Sequence, residues 1–201
     1  LGGGGSCSFT TQAAINSARE LGSTVVVAAG NANTDASNST PANCTGVITV
    51  AATNRAGARA YYSNYGAVVD MAAPGGGSGG GILSTLNIGI TSPSSDSYEF
   101  YQGTSMAAPH VAGVAALIYA IDPTITPDGV ETILTTTTRT FTGSCSQCGS
   151  GMVDAAAAVA AAAGGNYGAG VLDNGTLVSG LAAAGTDSPL YYTMEVPGGA
   201  T

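Results

Sequence analysis

Apolar and polar positions fall into blocks with two different periods along this chain. Thr11 to Leu21 places Ala13, Ala14, Ile15, Ala18 and Leu21 on one side at helical spacing, and Gly22 follows as a stop. Thr24 to Gly30 (TVVVAAG) is an unbroken β-branched run that ends in small residues. A run without polar alternation predicts a strand buried on both faces, as in a parallel sheet. Gly46 to Ala52 (GVITVAA) repeats the pattern, and Val68 to Ala72 is a shorter version of it. Leu1 to Gly5 reads as the end of a strand entering a loop, and Leu83 to Tyr101 as a hairpin or surface loop. Three further helices are predicted. They are Thr104 to Ile121, apolar from Val111 to Tyr119; Pro127 to Thr137, more exposed; and Met152 to Ala163, opened by Gly149-Ser150-Gly151.

Strands separated by helices predict a doubly wound α/β domain, with a mostly parallel sheet and helices on both faces. Ligands of such sheets lie beyond the carboxyl ends of the strands, and Asn31 sits just past one such end. Gly75 to Gly81 (GGGSGGG) is glycine-rich, but no lysine follows, so a phosphate-binding loop is excluded and a flexible turn expected. After Ala163 the pattern changes. Residues 164–174 read as a linker. Residues 175–201 then form short alternating runs, Gly175 to Gly180 and Leu190 to Val196, around a Gly-Thr-Asp turn.

Composition narrows the function classes. Only 8% of the 201 residues are charged, no lysine occurs, and the net charge is −8. Nucleic-acid partners are not expected, because phosphate contacts need lysine or arginine. No apolar run approaches the ~20 residues of a membrane span. Four cysteines, Cys7, Cys44, Cys145 and Cys148, allow three pairings. Cys145-Ser146-Gln147-Cys148 is compatible with a zinc ligand pair, but two disulfides in a secreted protein is the preferred reading. The expected pairs are Cys7–Cys44 and Cys145–Cys148. The chain opens without an initiator methionine and stops without a terminal element, so an internal fragment of a longer protein is expected.

Candidate chemistry centres on Gly103-Thr104-Ser105-Met106-Ala107-Ala108-Pro109-His110-Val111-Ala112-Gly113. A hydroxyl in the first turn of a buried helix lies beside unpaired backbone N–H groups that can bond a developing negative charge. Small neighbours let a substrate backbone approach closely. Ser105 could instead serve only as a helix N-cap. The eleven residues together resemble the serine motif of the subtilisin-like serine proteases (subtilases, peptidase S8). The resemblance covers residues 1–163, as the C-terminal portion of that family's catalytic domain.

That resemblance implies a secreted, bacterial, monomeric serine endopeptidase acting on polypeptides through an acyl-enzyme on Ser105. No cofactor is required for the chemistry. Thr24 to Asn31 resembles the segment that delivers the family's oxyanion-hole asparagine, here Asn31, whose alternative role is a turn cap. Its side-chain N–H₂ and the Ser105 backbone N–H would bind the oxyanion. Leu1-Gly2-Gly3 resembles the edge strand that pairs with substrate backbone. Ala28-Ala29-Gly30 would form a wall of the S1 pocket, with Ser39 near its floor. Val68 to Gly75 resembles the family's D-x-x-A-P-G segment. It implies a weak calcium or sodium site built from Asp70 and the carbonyls of Ala42, Cys44 and Val47; the alternative is a solvated Asp70. Residues 175–201 resemble the start of a pre-peptidase C-terminal β-sandwich domain, the alternative being a stray hairpin packed on the protease.

His110 is the sole histidine. Five residues along a helix advance about 500°, which leaves its side chain roughly 140° from that of Ser105. In this family the order is Asp, His, Ser, so the first two triad members are expected upstream of Leu1. Residues 1–201 alone are therefore expected to be inactive. A non-catalytic relative that only binds polypeptide is the competing reading. A lipase-type hydrolase would need G-x-S-x-G, where this chain has Gly103-Thr104-Ser105-Met106-Ala107. A chymotrypsin-type enzyme would be all-β.

Overall fold

The computed structural model describes residues 2–164. In chain order these form β1 (Gly3–Gly4), α1 (Phe9–Glu20), β2 (Val26–Ala28), β3 (Ser39–Thr40), β4 (Ile48–Thr53), β5 (Met71–Pro74), β6 (Ile82–Asn87), β7 (Asp96–Tyr101), α2 (Thr104–Ile121), α3 (Pro127–Thr136) and α4 (Ala155–Ala162). The linker and β-sandwich expected over 164–201, apart from Gly164, lie outside the described residues, as does Leu1.

The centre is a parallel sheet in the order β2-β4-β5. Strand alternation assigns its two faces. Ile48, Val50 and Ala52 of β4 join Met71 and Ala73 of β5 in a core with Val111, Val114, Ala115 and Ile118 of α2. Ala51 and Ala72 face the other way, into a cluster with Ala29, Ala36, Val69 and Cys148. Val25 and Val27 pack on that second side with Ile15 of α1, whereas Val26 meets the α2 core. All six residues of β4 are buried, as a strand covered on both faces requires. A parallel sheet with helices packed on its faces makes this an α/β domain.

Helix α2 spans the predicted residues. Its 18 residues have a mean hydropathy of 1.4, which by length and composition alone reaches the range of a membrane-spanning helix. In the fold, Thr104, Ala107, Val111, Val114, Ala115 and Ile118 form one buried face against the sheet.

Other boundaries shift for local reasons. Helix α1 starts at Phe9, two residues early, because the Ser8 side chain accepts from the Thr11 N–H as an N-cap. Helix α4 starts at Ala155, not Met152, because Asp154 caps it at the Ala157 N–H. Met152 instead bridges Arg139 and Ala72. Val68 and Val69 are not in a strand: the Val69 N–H bonds the Gly66 carbonyl in a turn, and β5 begins at Met71. Their apolar character serves loop packing, since Val69 is buried against Ala72 and Cys148. The disulfides join Cys7 to Cys44 and Cys145 to Cys148. The latter pair is therefore not a zinc site.

Candidate active site

Ser105 is the second residue of α2 and is exposed, whereas Gly103 and Thr104 beside it are buried. The first-turn N–H groups of a helix have no intrahelical partner, and here each can be accounted for. Thr104 donates its N–H to Asn31 Oδ1 at 2.9 Å. Met106 and Ala107 both donate to the Gly103 carbonyl, at 3.0 and 3.3 Å. The Ser105 N–H is left without a protein acceptor among the described residues.

Asn31 is placed by the end of β2. Gly30, with φ +106°, turns the chain there, and the Asn64 amide fills the space a side chain at Gly30 would need. Asn31 Oδ1 accepts from both the N–H and the hydroxyl of Thr104, the latter at 2.8 Å. The Thr104 hydroxyl in turn accepts from the Gly30 N–H at 3.2 Å. With its oxygen committed, the Asn31 amide has one orientation, and its Nδ2 faces the start of α2. Nδ2 lies 3.5 Å, and the Ser105 N 3.6 Å, from the point a Cβ on Gly103 would occupy. Two N–H donors without a protein acceptor among the described residues thus lie near one point at the start of α2, with Met106 Sδ 3.7 Å from it, an arrangement able to stabilise an oxyanion.

Sequence reasoning missed three supporting residues. Thr104 lay inside the motif but was passed over in favour of its neighbour. Asn64 is buried: it donates to the Ala29 carbonyl (2.9 Å) and Ser39 Oγ (3.0 Å) and accepts from the Ala32 and Thr34 N–H groups. Tyr62 donates its hydroxyl to the carbonyls of Gly75 (2.7 Å) and Gly76 (2.9 Å). Gly75 also accepts from the Gly103 N–H, so this phenol braces the turn before Ser105. Burial pushes the Tyr62 phenol up to about 12. A polar pair set among tyrosines, Tyr61-Tyr62-Ser63-Asn64-Tyr65, was the one available signal.

The remaining predicted positions are partly brought together. Ser39 meets Gly30 through Asn64. Gly3 and Gly4 pair with Thr40 and Ser39 on one edge and are exposed. Ala29 is fully enclosed and packs in the core, so the expected wall has accessible surface only at Ala28 and Gly30. His110 Nδ1 lies 2.8 Å from the Met106 carbonyl, one turn back.

Asp70 Oδ2 accepts from the Thr49 N–H (2.7 Å), while the Thr49 hydroxyl donates to the Ala42 carbonyl (2.8 Å). Two of the expected cation ligands, the Asp70 carboxylate and the Ala42 carbonyl, are thus both hydrogen-bonded by Thr49. Burial raises the Asp70 carboxyl, against the Thr49 N–H that lowers it. Cys44 is half of a disulfide.

An "Extracellular protease" of Xanthomonas campestris pv. campestris is 56% identical over 99% of this chain and 35% of its own length. An "Extracellular basic protease" of Dichelobacter nodosus is 48% identical over 82% of the chain and 27% of its own. Among solved structures, one of proteases from Pseudoalteromonas arctica has a TM-score of 0.79 and 61% identity, over 81% of this chain and 49% of that one. A cold adapted subtilisin-like serine proteinase has a TM-score of 0.61 and 34% identity, over 75% and 50%. The chain thus spans about a third of these curated relatives and about half of these structures. The family model described as the subtilase family matches residues 1–170, and the chain belongs to that family.

Proposed function

We propose that this chain is the nucleophile-bearing portion of a secreted serine endopeptidase. Ser105 attacks the peptide carbonyl and is acylated, and the leaving amine departs. Water then releases the acyl group. The Asn31 Nδ2 and Ser105 N–H donors bind the oxyanion of each tetrahedral intermediate. The observation that carries this reading is the pair of N–H donors, without a protein acceptor among the described residues, near one point at the start of α2. Secretion is supported by the names of the relatives and by two disulfides.

The proton acceptor is a histidine on polypeptide upstream of Leu1, oriented by an aspartate there. His110 is engaged one turn along its own helix, and serine needs a positioned base. The upstream polypeptide seats on the face of α2 formed by Ala112, Gly113, Ala116 and Leu117, which is apolar yet exposed. Calcium or sodium, held by Asp70 with the Ala42, Cys44 and Val47 carbonyls, would supply structural support and no chemistry.

The test is labelling of the complete enzyme by a fluorophosphonate. Label is expected on Ser105 alone, and label retained by a folded Ser105→Ala variant overturns the reading. A complete enzyme that binds polypeptide but neither labels nor hydrolyses it would be the binding-only relative. Residues 1–201 expressed alone are expected not to hydrolyse a peptide p-nitroanilide. Turnover equal to that of the complete enzyme would remove the upstream base.

A further inference from the structure

The ribbon formed by β6 and β7 is built unlike the rest of the molecule. Its two strands pair with each other from Ile82↔Tyr101 to Asn87↔Asp96 and join no other sheet. Directly paired residues share a face. Leu83 with Phe100, and Thr85 with Tyr98, therefore form one side. Phe100 is 66% exposed, Tyr98 69% and Leu83 52%. Two aromatic rings and a leucine are thus open to solvent on one face of a ribbon. Isolated exposed apolar residues are ordinary, but a contiguous apolar face marks an interaction surface.

Its position ties that face to the nucleophile. Tyr98, Phe100 and Gln102 follow one another at strand period two, and Ser105 lies three residues beyond Gln102. The Gln102 side chain donates to the Tyr61 hydroxyl at 2.7 Å, which adds a third exposed aromatic at the base of the ribbon. From Gln102 to Tyr98 the strip runs about 13 Å at ~3.3 Å per residue, the length of about four residues of extended chain.

Charge selects the occupant. Residues 82–102 carry Asp96 and Glu99 and no cation. A second copy would set these carboxylates against their equals, which is unfavourable. Residues 165–201 of this chain hold Asp173, Asp187 and Glu195 and no cation either. An anionic lipid surface is repelled for the same reason. A foreign extended polypeptide with apolar side chains and basic residues meets both the rings and Asp96, which strand alternation puts on the ring face, whereas Glu99 lies on the other.

We propose that the Leu83, Tyr98 and Phe100 face of this ribbon is a second contact surface for the polypeptide substrate, favouring segments that mix apolar and basic residues. This rests on the endopeptidase reading above. The open outer edges of the ribbon offer main-chain groups for the same segment.

The test uses the complete enzyme and three peptides. One is a short chromogenic peptide. Two longer ones contain its cleavage sequence, extended on both sides by alternating Phe/Lys or Phe/Glu. Wild type is expected to cleave the Phe/Lys peptide with kcat/KM about tenfold or more above the other two. The Tyr98→Ser/Phe100→Ser variant should lose that preference and keep its rate on the short peptide. Asp96→Asn, which neutralises the carboxylate on the ring face, should bring the Phe/Lys and Phe/Glu peptides together. A preference that survives both variants overturns the proposal, as does an equal fall on the short peptide. Sedimentation showing a dimer that Tyr98→Ser/Phe100→Ser dissociates, or binding to anionic vesicles that it abolishes, also overturns it.

Binding of the same peptides to a Ser105→Ala enzyme, read by fluorescence anisotropy, separates the two readings. If wild type hydrolyses nothing, the endopeptidase reading fails. A Phe/Lys preference in binding that depends on Tyr98 and Phe100 would then still stand by itself, and its absence would overturn the surface.

Discussion

The Thr104 hydroxyl donates to Asn31 Oδ1 at 2.8 Å, and this bond decides which end of the Asn31 amide faces Ser105. Rotation of the amide would present a carbonyl oxygen to a developing negative charge. Thr104→Val removes the hydroxyl at nearly constant volume. It is expected to lower kcat with little change in KM, since the donor it aims acts mainly in the transition state. Thr104→Ser should restore most of the rate. Asn31→Ala should cost more. A subtilisin is the type case for losing such a donor, at roughly 10²–10³-fold in kcat. Steady-state kinetics on one peptide substrate checks all three.

Asn64→Ala should destabilise strongly and slow turnover together. Four hydrogen bonds to Ala29, Ser39, Ala32 and Thr34 would be lost, and each buried polar group left unpaired costs about 1–3 kcal/mol. The same loop carries Asn31, so the urea midpoint and kcat should fall in the same variant. An unchanged midpoint would remove Asn64 from the support of the site.

Replacing Cys7 and Cys44 by serine should cost about 3–4 kcal/mol, from the chain-entropy model for a separation of 37 residues. Denaturant unfolding of the paired variant measures it. Opening Cys145–Cys148, with a separation of 3, should cost less by the same model. Peptide mapping that joins Cys7 to Cys145 would contradict the pairing.

Tyr62 makes alkaline stability a readable quantity. Its folded phenol ionises at about 12, above the ordinary 10, because burial opposes the charged form. The native state thus holds this proton more tightly than the unfolded chain does. The stabilisation is complete below pH 10 and is lost as pH rises toward 12. Tyr62→Phe should be less stable at neutral pH, having lost two hydrogen bonds, yet fall less steeply between pH 10 and 12. Unfolding midpoints for the two proteins across that range provide the comparison.

Much of the fold was legible because burial wrote it into local pattern. The TVVVAAG and GVITVAA runs became neighbouring parallel strands, and the residues after Gly103 became the helix over them. The cysteine pairs followed from spacing and compartment. Val68 and Val69 misled, because an apolar residue can bury itself from a loop as well as from a strand. Ser8 and Asp154 shifted helix starts through caps that were not weighed. Thr104, Asn64 and Tyr62 could not be read, because a polar side chain is defined by partners brought by folding. Asn64 meets groups 25 to 35 residues away, and no local period reports that.

The bond between Thr104 and Asn31 also sets when the site can exist. It joins segments 73 residues apart, one leaving the sheet and one entering the helix over it. Neither segment can hold the amide by itself. Fraying of the first turn of α2 would displace the Ser105 hydroxyl, its backbone donor and the anchor of Asn31 in one event. Under the proposed function, nucleophile and charge stabiliser are therefore gained and lost as a unit. A chain still folding, or opening at that turn, would have neither with which to attack its neighbours.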